Sequence, residues 1–149
     1  MKTLLALALM TLPTLGSAHD YKIADLVIDH PMARETTASA MAGAGYFMVI
    51  NNGETDDVLI EVRADFPRVM IHDTEVVDDV ATMVHLENLP IPAGETVMLA
   101  PGGKHVMFMG LNGDPFEEGE DISATLVFEK AGEIEVMLEV RTLEDIQNY

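Results

Sequence analysis

Residues 122–141, ISATLVFEKAGEIEVMLEVR, carry the pattern that decides the fold. Apolar side chains alternate with polar ones on both sides of Ala131-Gly132, at Ile122, Ala124, Leu126, Phe128, Ile134, Val136, Leu138 and Val140. Because successive side chains of a strand point to opposite faces, this period of two predicts two strands that each bury one face. Ala131-Gly132 suits the tight turn between them. The stretch therefore predicts an antiparallel β-hairpin.

The rest of the chain shows similar short strands separated by turn residues, without a long helical period. The other predicted strands are Tyr21–Asp29, Gly45–Ile50, Val58–Arg63, Arg68–His72, Thr82–Glu87, Thr96–Ala100 and His105–Met109. Pro31–Gly43 is the longest stretch without strand character, and Thr142–Tyr149 is expected to form a short helix or a loose tail. Many short antiparallel strands in a chain of this length predict one all-β domain, a β-sandwich with Greek-key connections.

The first residues, MKTLLALALMTLPTLGSA, have the layout of a secretory signal peptide. Lys2 precedes a short apolar run, and Gly16-Ser17-Ala18 resembles a cleavage site. The run is shorter than a membrane span requires. The sequence therefore predicts a cleaved signal peptide over residues 1–18 and export to the periplasm. The mature part, residues 19–149, is predicted to be a single domain without a membrane span.

Composition excludes several kinds of site. The sequence has no cysteine, which rules out disulfides and thiolate metal sites, including the blue-copper and zinc-ribbon types. Its formal net charge of −18 disfavours binding to nucleic acid or to anionic lipid. The acidic residues are spread along the chain, as is typical of a solvated surface, so no disordered acidic tail is predicted.

Three predicted strands carry histidine and methionine on the face opposite their core residues. In KHVMFM, residues 104–109, Val106 and Phe108 are suited to a core, so the residues between them face the other way. The same alternation in Arg68–His72 and Thr82–Glu87 extends this group of outward residues: Met70, His72, Met83, His85, His105, Met107 and Met109. A lone histidine or methionine of this kind is usually an ordinary core or surface residue. Three strands with the same pattern indicate a binding site.

The chemistry of this group favours one metal. Residues i and i+2 of a strand lie roughly 7 Å apart, so ligands that each reach ~2–2.3 Å to a metal can converge from that spacing. His105 and Met107 can form such a chelating pair, with Met83 and His72 supplied by neighbouring segments. A thioether is soft and does not titrate, which favours Cu(I) over Zn(II) or hard cations.

His72, ten residues, Met83, twenty-one residues and then His105-x-Met107 match the H-x10-M-x21-H-x-M signature of the PCu(A)C periplasmic copper chaperones. The chain resembles that family over residues 19–141, with HDYKIADLVIDHPMAR, AGYFMVINNGETDD and LPIPAGETVMLAPGGKHVMFMGL carrying the rest of the likeness. The resemblance implies a cupredoxin-like β-sandwich that binds one Cu(I) through those four residues. It further implies delivery of copper toward the CuA centre of cytochrome c oxidase subunit II, alone or with a thiol-bearing partner chaperone.

Two positions depart from the family's usual sequence. Many members carry methionine two residues after the first histidine, where this chain has Thr74, and tryptophan where this chain has Met32. Neither change touches the four-residue signature. The resemblance therefore implies the four ligands without an auxiliary methionine at position 74.

Two other functions stay open from the residues alone. One is an exported copper scavenger without a dedicated acceptor, and the other is a β-sandwich module whose Met/His face binds a protein. Enzyme activity is not expected, because a closed Met/His shell offers no activated water and no base.

The remaining histidines of the mature part have less defined roles. His19 could chelate Cu(II) together with its α-amino group, although a frayed terminus is the simpler interpretation. His30 is expected to be structural. His85 and Met109 share the outward face and could serve as alternative ligands.

Overall fold

The computed structural model of the protein describes residues 20–149, so the predicted signal peptide and His19 lie outside the described residues. This part of the chain contains eleven strands and one short helix. In chain order they are β1 Tyr21–Ile23, β2 Leu26–Arg34, β3 Ala42–Asn51, β4 Asp57–Arg63, β5 Arg68–Val77, β6 Val80–Leu86, β7 Leu89–Ile91, β8 Thr96–Leu99, β9 His105–Met109, β10 Asp121–Phe128, β11 Gly132–Arg141 and α1 Leu143–Gln147.

The strands form one hydrogen-bonded sheet in the order β6-β5-β9-β3-β2-β11-β10-β4-β7, with β1 added to β2 and β8 added to β3. The sheet folds over on itself, because β4 and β5 lie near opposite ends of this order and still contact each other. Side chains from both halves share one hydrophobic core. Among the described strands every pair is antiparallel except β2–β11. The all-β prediction is confirmed, and this one parallel pair departs from the expected antiparallel pairing.

The β10–β11 hairpin forms as its alternating pattern predicts. Leu126 pairs with Ile134, and the inward residues of both strands are buried or packed against the core. Asp57, which is also buried, accepts hydrogen bonds from the backbone N–H groups of Lys130 and Ala131, both at 2.9 Å. A buried carboxylate on β4 therefore anchors the turn of the hairpin.

The sheet differs from the prediction at two short edge strands. The predicted strand Tyr21–Asp29 is divided into β1 and β2 by a turn at Ala24, whose φ is +50°. Strand β7, Leu89–Ile91, pairs with β4 and was not predicted. Pro90 lies at its centre, and a three-residue run with a central proline lacks the usual signature of a strand.

The stretch Pro31–Gly43 contains more strand than predicted. Strand β2 continues to Arg34 and β3 begins at Ala42, so the prediction holds only for residues 35–41. The pairing of β2 with β3 shifts register beside His30, whose φ is +47°. A bulge interrupts the hydrogen-bond ladder and so allows a proline inside a strand.

Strand β9 lies between β5 and β3, and its inner face belongs to the core. Val106 and Phe108 are fully buried, and the Phe108 ring packs against Phe66 and Phe116 at centroid distances of 5.2 and 5.8 Å. Gly45 on β3 leaves room for this ring, since a Cβ there would lie 2.9 Å from Phe108. The inner face thus fixes β9 in place, and with it the position of the outer face.

The last residues form the short helix that was one of the two expectations for Thr142–Tyr149. Thr142 caps it by accepting a hydrogen bond from the Asp145 N–H at 3.2 Å. Ile146 is buried against Met32 and Tyr46. Among residues 20–149, no helix has the length and hydropathy needed to cross a bilayer.

Candidate metal centre

The outer face of β6, β5 and β9 presents the histidines and methionines together. The residues that share this face are Met83, His85, Met70, His72, Thr74, His105, Met107 and Met109. The registers align His85, His72 and His105 directly across the three strands. The structure therefore brings together segments that are far apart in the sequence.

His72 lies at the centre of the four predicted ligands. It is directly opposite His105, and the two ring centroids are 5.8 Å apart. Met107 and Met83 occupy diagonal positions on the two flanking strands, one opposite Met70 and the other opposite Thr74. Diagonal neighbours on adjacent strands lie roughly 7–8 Å apart, within reach of long side chains. The registers therefore place the four predicted residues on one face, three of them as direct or diagonal neighbours of His72.

Two nitrogens of this group are buried without a hydrogen-bond partner, namely His72 Nδ1 and His105 Nε2. His105 Nδ1 donates to the carbonyl oxygen of Gly103 at 3.0 Å, which leaves the Nε2 lone pair free. A buried polar atom without a partner costs about 1–3 kcal/mol, and metal coordination removes that cost. A carbonyl that holds the second ring nitrogen is the usual support of a metal-binding histidine. The two imidazoles thus fit a metal.

The electrostatics of His72 also suit a ligand. Burial lowers the pKa of His72 below its ordinary value of 6.5, and the neighbouring His105, His85 and Arg68 lower it further. Only the neutral imidazole has a lone pair for a metal. The side chain is therefore held in its ligating form at neutral pH.

A groove of about 540 Å³ opens on this face, and three of the predicted ligands line it: Met83, His105 and Met107. His72 is not among the lining residues and lies beside His105. Ala44 on β3 is paired with Met107, and this small side chain leaves space above the strand. Residues 34–37 also line the groove. The groove gives solvent access to the thioethers.

The four predicted ligands differ in how far they are exposed. His105 is only 5% exposed, whereas Met83 on the edge strand β6 is 59% exposed. His105 lies on the outer face, as its position in the strand predicts, but the residue is buried there. The Gly103 carbonyl in the turn before β9 binds the ring directly. The candidate site is therefore exposed to solvent at Met83 and shielded from it at His105.

Thr74 has a structural contact in place of the auxiliary methionine. Its hydroxyl donates to the Gly103 carbonyl at 3.3 Å, the same oxygen that accepts from His105 Nδ1. Thr74 therefore ties β5 to the turn that positions a predicted ligand.

The other residues of this face separate into near and far positions. His85 is an exposed residue. The centroid of its ring lies 5.8 Å from that of the His72 ring, and the two ring planes form an angle of 89°. Met109 is opposite Arg68 and lies one row beyond Met107. Of the two alternative ligands that the sequence suggested, His85 is thus the one adjacent to the site.

Asp20, Asp29 and His30 form a second group of possible ligands, which the sequence analysis did not identify. Each offers an atom within 4.8 Å of the others. Burial and the contact with Asp20 raise the pKa of Asp29, while the His30 ring packs against Tyr149 at 4.9 Å. The group depends on the β1–β2 hairpin and the bulge at His30, which the sequence pattern did not show. Its two carboxylates make it a harder donor set than the Met/His face.

The fold and the site can be compared with known proteins. A family model described as putative lipoprotein LpqE-like matches residues 26–140. The chain therefore belongs to the LpqE-like family. It is 39% identical over 83 residues to the putative lipoprotein Lxx21020 of Leifsonia xyli subsp. xyli (strain CTCB07), an alignment that covers 54% of this chain and 49% of the relative. The chain thus matches about half the length of that curated relative.

Solved structures with the same fold include several PCuAC domains. The apo PCuAC domain from PmoF1 is 29% identical, with a TM-score of 0.69 over 83% of this chain and 99% of that domain. The copper-bound PCuAC domain from PmoF2 is 30% identical, with a TM-score of 0.67 over 83% of this chain and 98% of that domain. Apo-DR1885 from Deinococcus radiodurans, 22% identical with a TM-score of 0.62 over 95% of this chain and 97% of that one, shows the shared fold alone. The prediction of a cupredoxin-like β fold is confirmed.

Proposed function

We propose that this protein is an exported, non-catalytic copper chaperone that binds one Cu(I) through His72, Met83, His105 and Met107. The observation that carries the proposal is the pair of buried, unpartnered imidazole nitrogens beside thioethers on one face of the sheet. The likeness to a copper-bound PCuAC domain at 30% identity supports copper as the metal.

The donor set explains the choice of Cu(I). Two thioethers and two neutral imidazoles are soft to intermediate donors, which suit Cu(I) and discriminate against hard cations. None of the four ligands carries a charge, so the ligands do not neutralise the positive charge of the bound ion. The protein that surrounds the ion is strongly acidic. Methionine also avoids the disulfide formation to which cysteine ligands are exposed in an oxidising compartment.

The unequal exposure of the ligands supports release to an acceptor. Met83 is exposed on an edge strand, whereas His105 is buried and held by a carbonyl. An incoming donor can replace the Met83 thioether first while the two histidines still hold the ion. We propose the CuA domain of apo cytochrome c oxidase subunit II as the acceptor, reached directly or through a thiol-bearing chaperone.

Export to the periplasm is part of the proposal. The predicted signal peptide supports it, and so do the descriptions of the matched family and of its relative as putative lipoproteins. A copper scavenger without an acceptor would use the same site. Chaperone and scavenger therefore differ in whether copper is transferred to an acceptor, and not in how it is bound.

A transfer experiment tests the proposal. The mature chain loaded with Cu(I) is mixed with an apo CuA domain, and the copper content of each protein is measured after separation. We expect copper to reach the acceptor faster from the chain than from a small-molecule Cu(I) complex of equal affinity. Equal rates from both donors would favour the scavenger. Binding of a protein partner that survives replacement of all four ligands would favour the interaction module.

A further inference from the structure

We propose that the outer face holds a second, nitrogen-rich ligand set, His85, His72 and His105, which binds Cu(II). This inference rests on the proposed function, because it shares two of the four Cu(I) ligands. It assigns a role to His85, which the Cu(I) site does not use.

The geometry of the three strands carries the inference. His85, His72 and His105 form one row of directly opposed residues across β6, β5 and β9. The His72 ring lies 5.8 Å from each of the other two rings, close to edge-on in both cases. Imidazoles that bind one metal at about 2.0–2.1 Å through nitrogen have ring centres roughly 6 Å apart or less. Each neighbouring pair in the row is already at that separation.

The side chains of the two outer histidines can also meet above the central strand. Strands two apart in a sheet are roughly 9–10 Å apart, and two histidine side chains can span that gap when both lean toward the middle strand. His85 is exposed on the edge strand, so its ring is free to turn toward His72. His105 Nε2 has its lone pair free because Nδ1 donates to Gly103.

The chemistry of such a set suits Cu(II) better than Cu(I). Cu(II) favours nitrogen and oxygen donors in a tetragonal arrangement, whereas thioethers favour Cu(I). Three imidazoles leave at least one position for water, and the exposed side of the row at His85 provides it. The two sets share His72 and His105, so a chain holds one copper ion at a time. Its oxidation state decides whether His85 or the two methionines complete the site.

Paired substitutions on the mature chain test this inference. Cu(II) binding is followed by competition titration and by electron paramagnetic resonance, and Cu(I) binding by a separate anaerobic titration of the same preparations. His85→Gln is expected to weaken Cu(II) binding by about tenfold or more and to reduce the nitrogen hyperfine structure, with Cu(I) affinity within about twofold of wild type. Met107→Leu is expected to weaken Cu(I) binding and to leave Cu(II) binding close to that of wild type. His85 is exposed, so its replacement should leave the fold intact.

His30→Gln is the matched control, because it removes a histidine of the second candidate group, away from the row. It should leave the Cu(II) signal unchanged. Cu(II) binding that is unaltered in His85→Gln, or lost in His30→Gln instead, would overturn the inference. The Cu(I) titration of the wild-type chain tests the proposed function separately, so failure of one is distinguishable from failure of the other.

Discussion

His72 and His105 face each other directly across the antiparallel β5–β9 pair, and each ring has one buried nitrogen without a hydrogen-bond partner. The two strands are separated by the whole β6–β8 region of the chain, so the pairing of the sheet creates this relationship. Strand pairing fixes both backbones, and the Gly103 carbonyl orients one of the rings. Both imidazoles are thus held on one face of the sheet, each with a nitrogen available to a metal.

The mature chain should bind about one Cu(I) per molecule, and far more tightly than Zn(II), because the thioethers of Met83 and Met107 discriminate by softness. Competition titrations against chelators of known affinity for each metal measure the difference. Replacing both methionines with leucine should reduce the difference between the affinities for Cu(I) and Zn(II), since the two histidines remain available to zinc. Zinc binding equal to or tighter than that of Cu(I) in the wild-type chain would contradict the proposed site.

Cu(I) affinity should decrease as the pH falls, because His72 and His105 must be neutral to bind the ion. The pKa of His72 lies below 6.5, so its competition with protons becomes important only below that pH. The same shift makes the apo fold less stable as the pH decreases through this range, since the unfolded chain takes up a proton before folded His72 does. Titrations from pH 7.5 to 5 measure the affinity, and His72→Gln is the control for the stability change. A flat affinity profile would show that the histidines are not ligands.

Neighbouring residues of β9 should respond in different ways to truncation. Met107→Ala should weaken Cu(I) binding and change apo stability by less than ~0.5 kcal/mol, because Met107 lies on the outer face. Phe108→Ala should cost roughly 3–5 kcal/mol, because its fully buried ring packs between two other phenylalanines. Thermal unfolding of the apo proteins and Cu(I) titration measure the two effects. If Met107→Ala unfolded the protein while its folded fraction bound copper normally, the assignment of the two faces would be reversed.

Gly45→Ala should destabilise the domain by about 1–3 kcal/mol, because the added methyl group would meet the side chains of the core. Its Cβ would lie 2.7 Å from Leu138 Cδ2 and 2.9 Å from Phe108 Cε2. Gly103→Ala is the matched control, since the nearest atom to a Cβ there is 3.7 Å away. Denaturant unfolding of the two variants gives the comparison. Equal stabilities would mean that β9 does not depend on the close approach of β3.

Alternation of apolar residues was sufficient to predict the hairpin of β10 and β11 and the core face of β9. It failed at Ala24, His30 and Pro90, where backbone geometry decides and side-chain pattern does not. A positive φ at a non-glycine residue, or a proline inside a bulge, leaves no periodic signal in one sequence.

The candidate site shows a similar division. Residue spacing and family resemblance predicted four ligands, and the registers place those four residues on one face of the sheet. The pattern could not show that His105 is buried, that Gly103 orients it, or that His85 lies beside His72. Each of these facts depends on pairing between strands that are distant in the chain, which the alternation within a single strand does not encode.

The β5–β6 hairpin carries two of the four proposed ligands, yet every residue from His72 to Leu86 is half-buried or exposed. Beyond the pairing of residues 68–72 with β9, little core packing holds the hairpin against the rest of the domain, so the metal would add a cross-link between its outer part and β9. Binding and folding then form one equilibrium, in which each tenfold excess of free Cu(I) over the dissociation constant adds about 1.4 kcal/mol to the free energy of unfolding. After the ion leaves, this hairpin should be the first part of the domain to exchange its amide protons and the first to be cut by a protease. Loaded and empty carriers would thus differ in lifetime as well as in cargo.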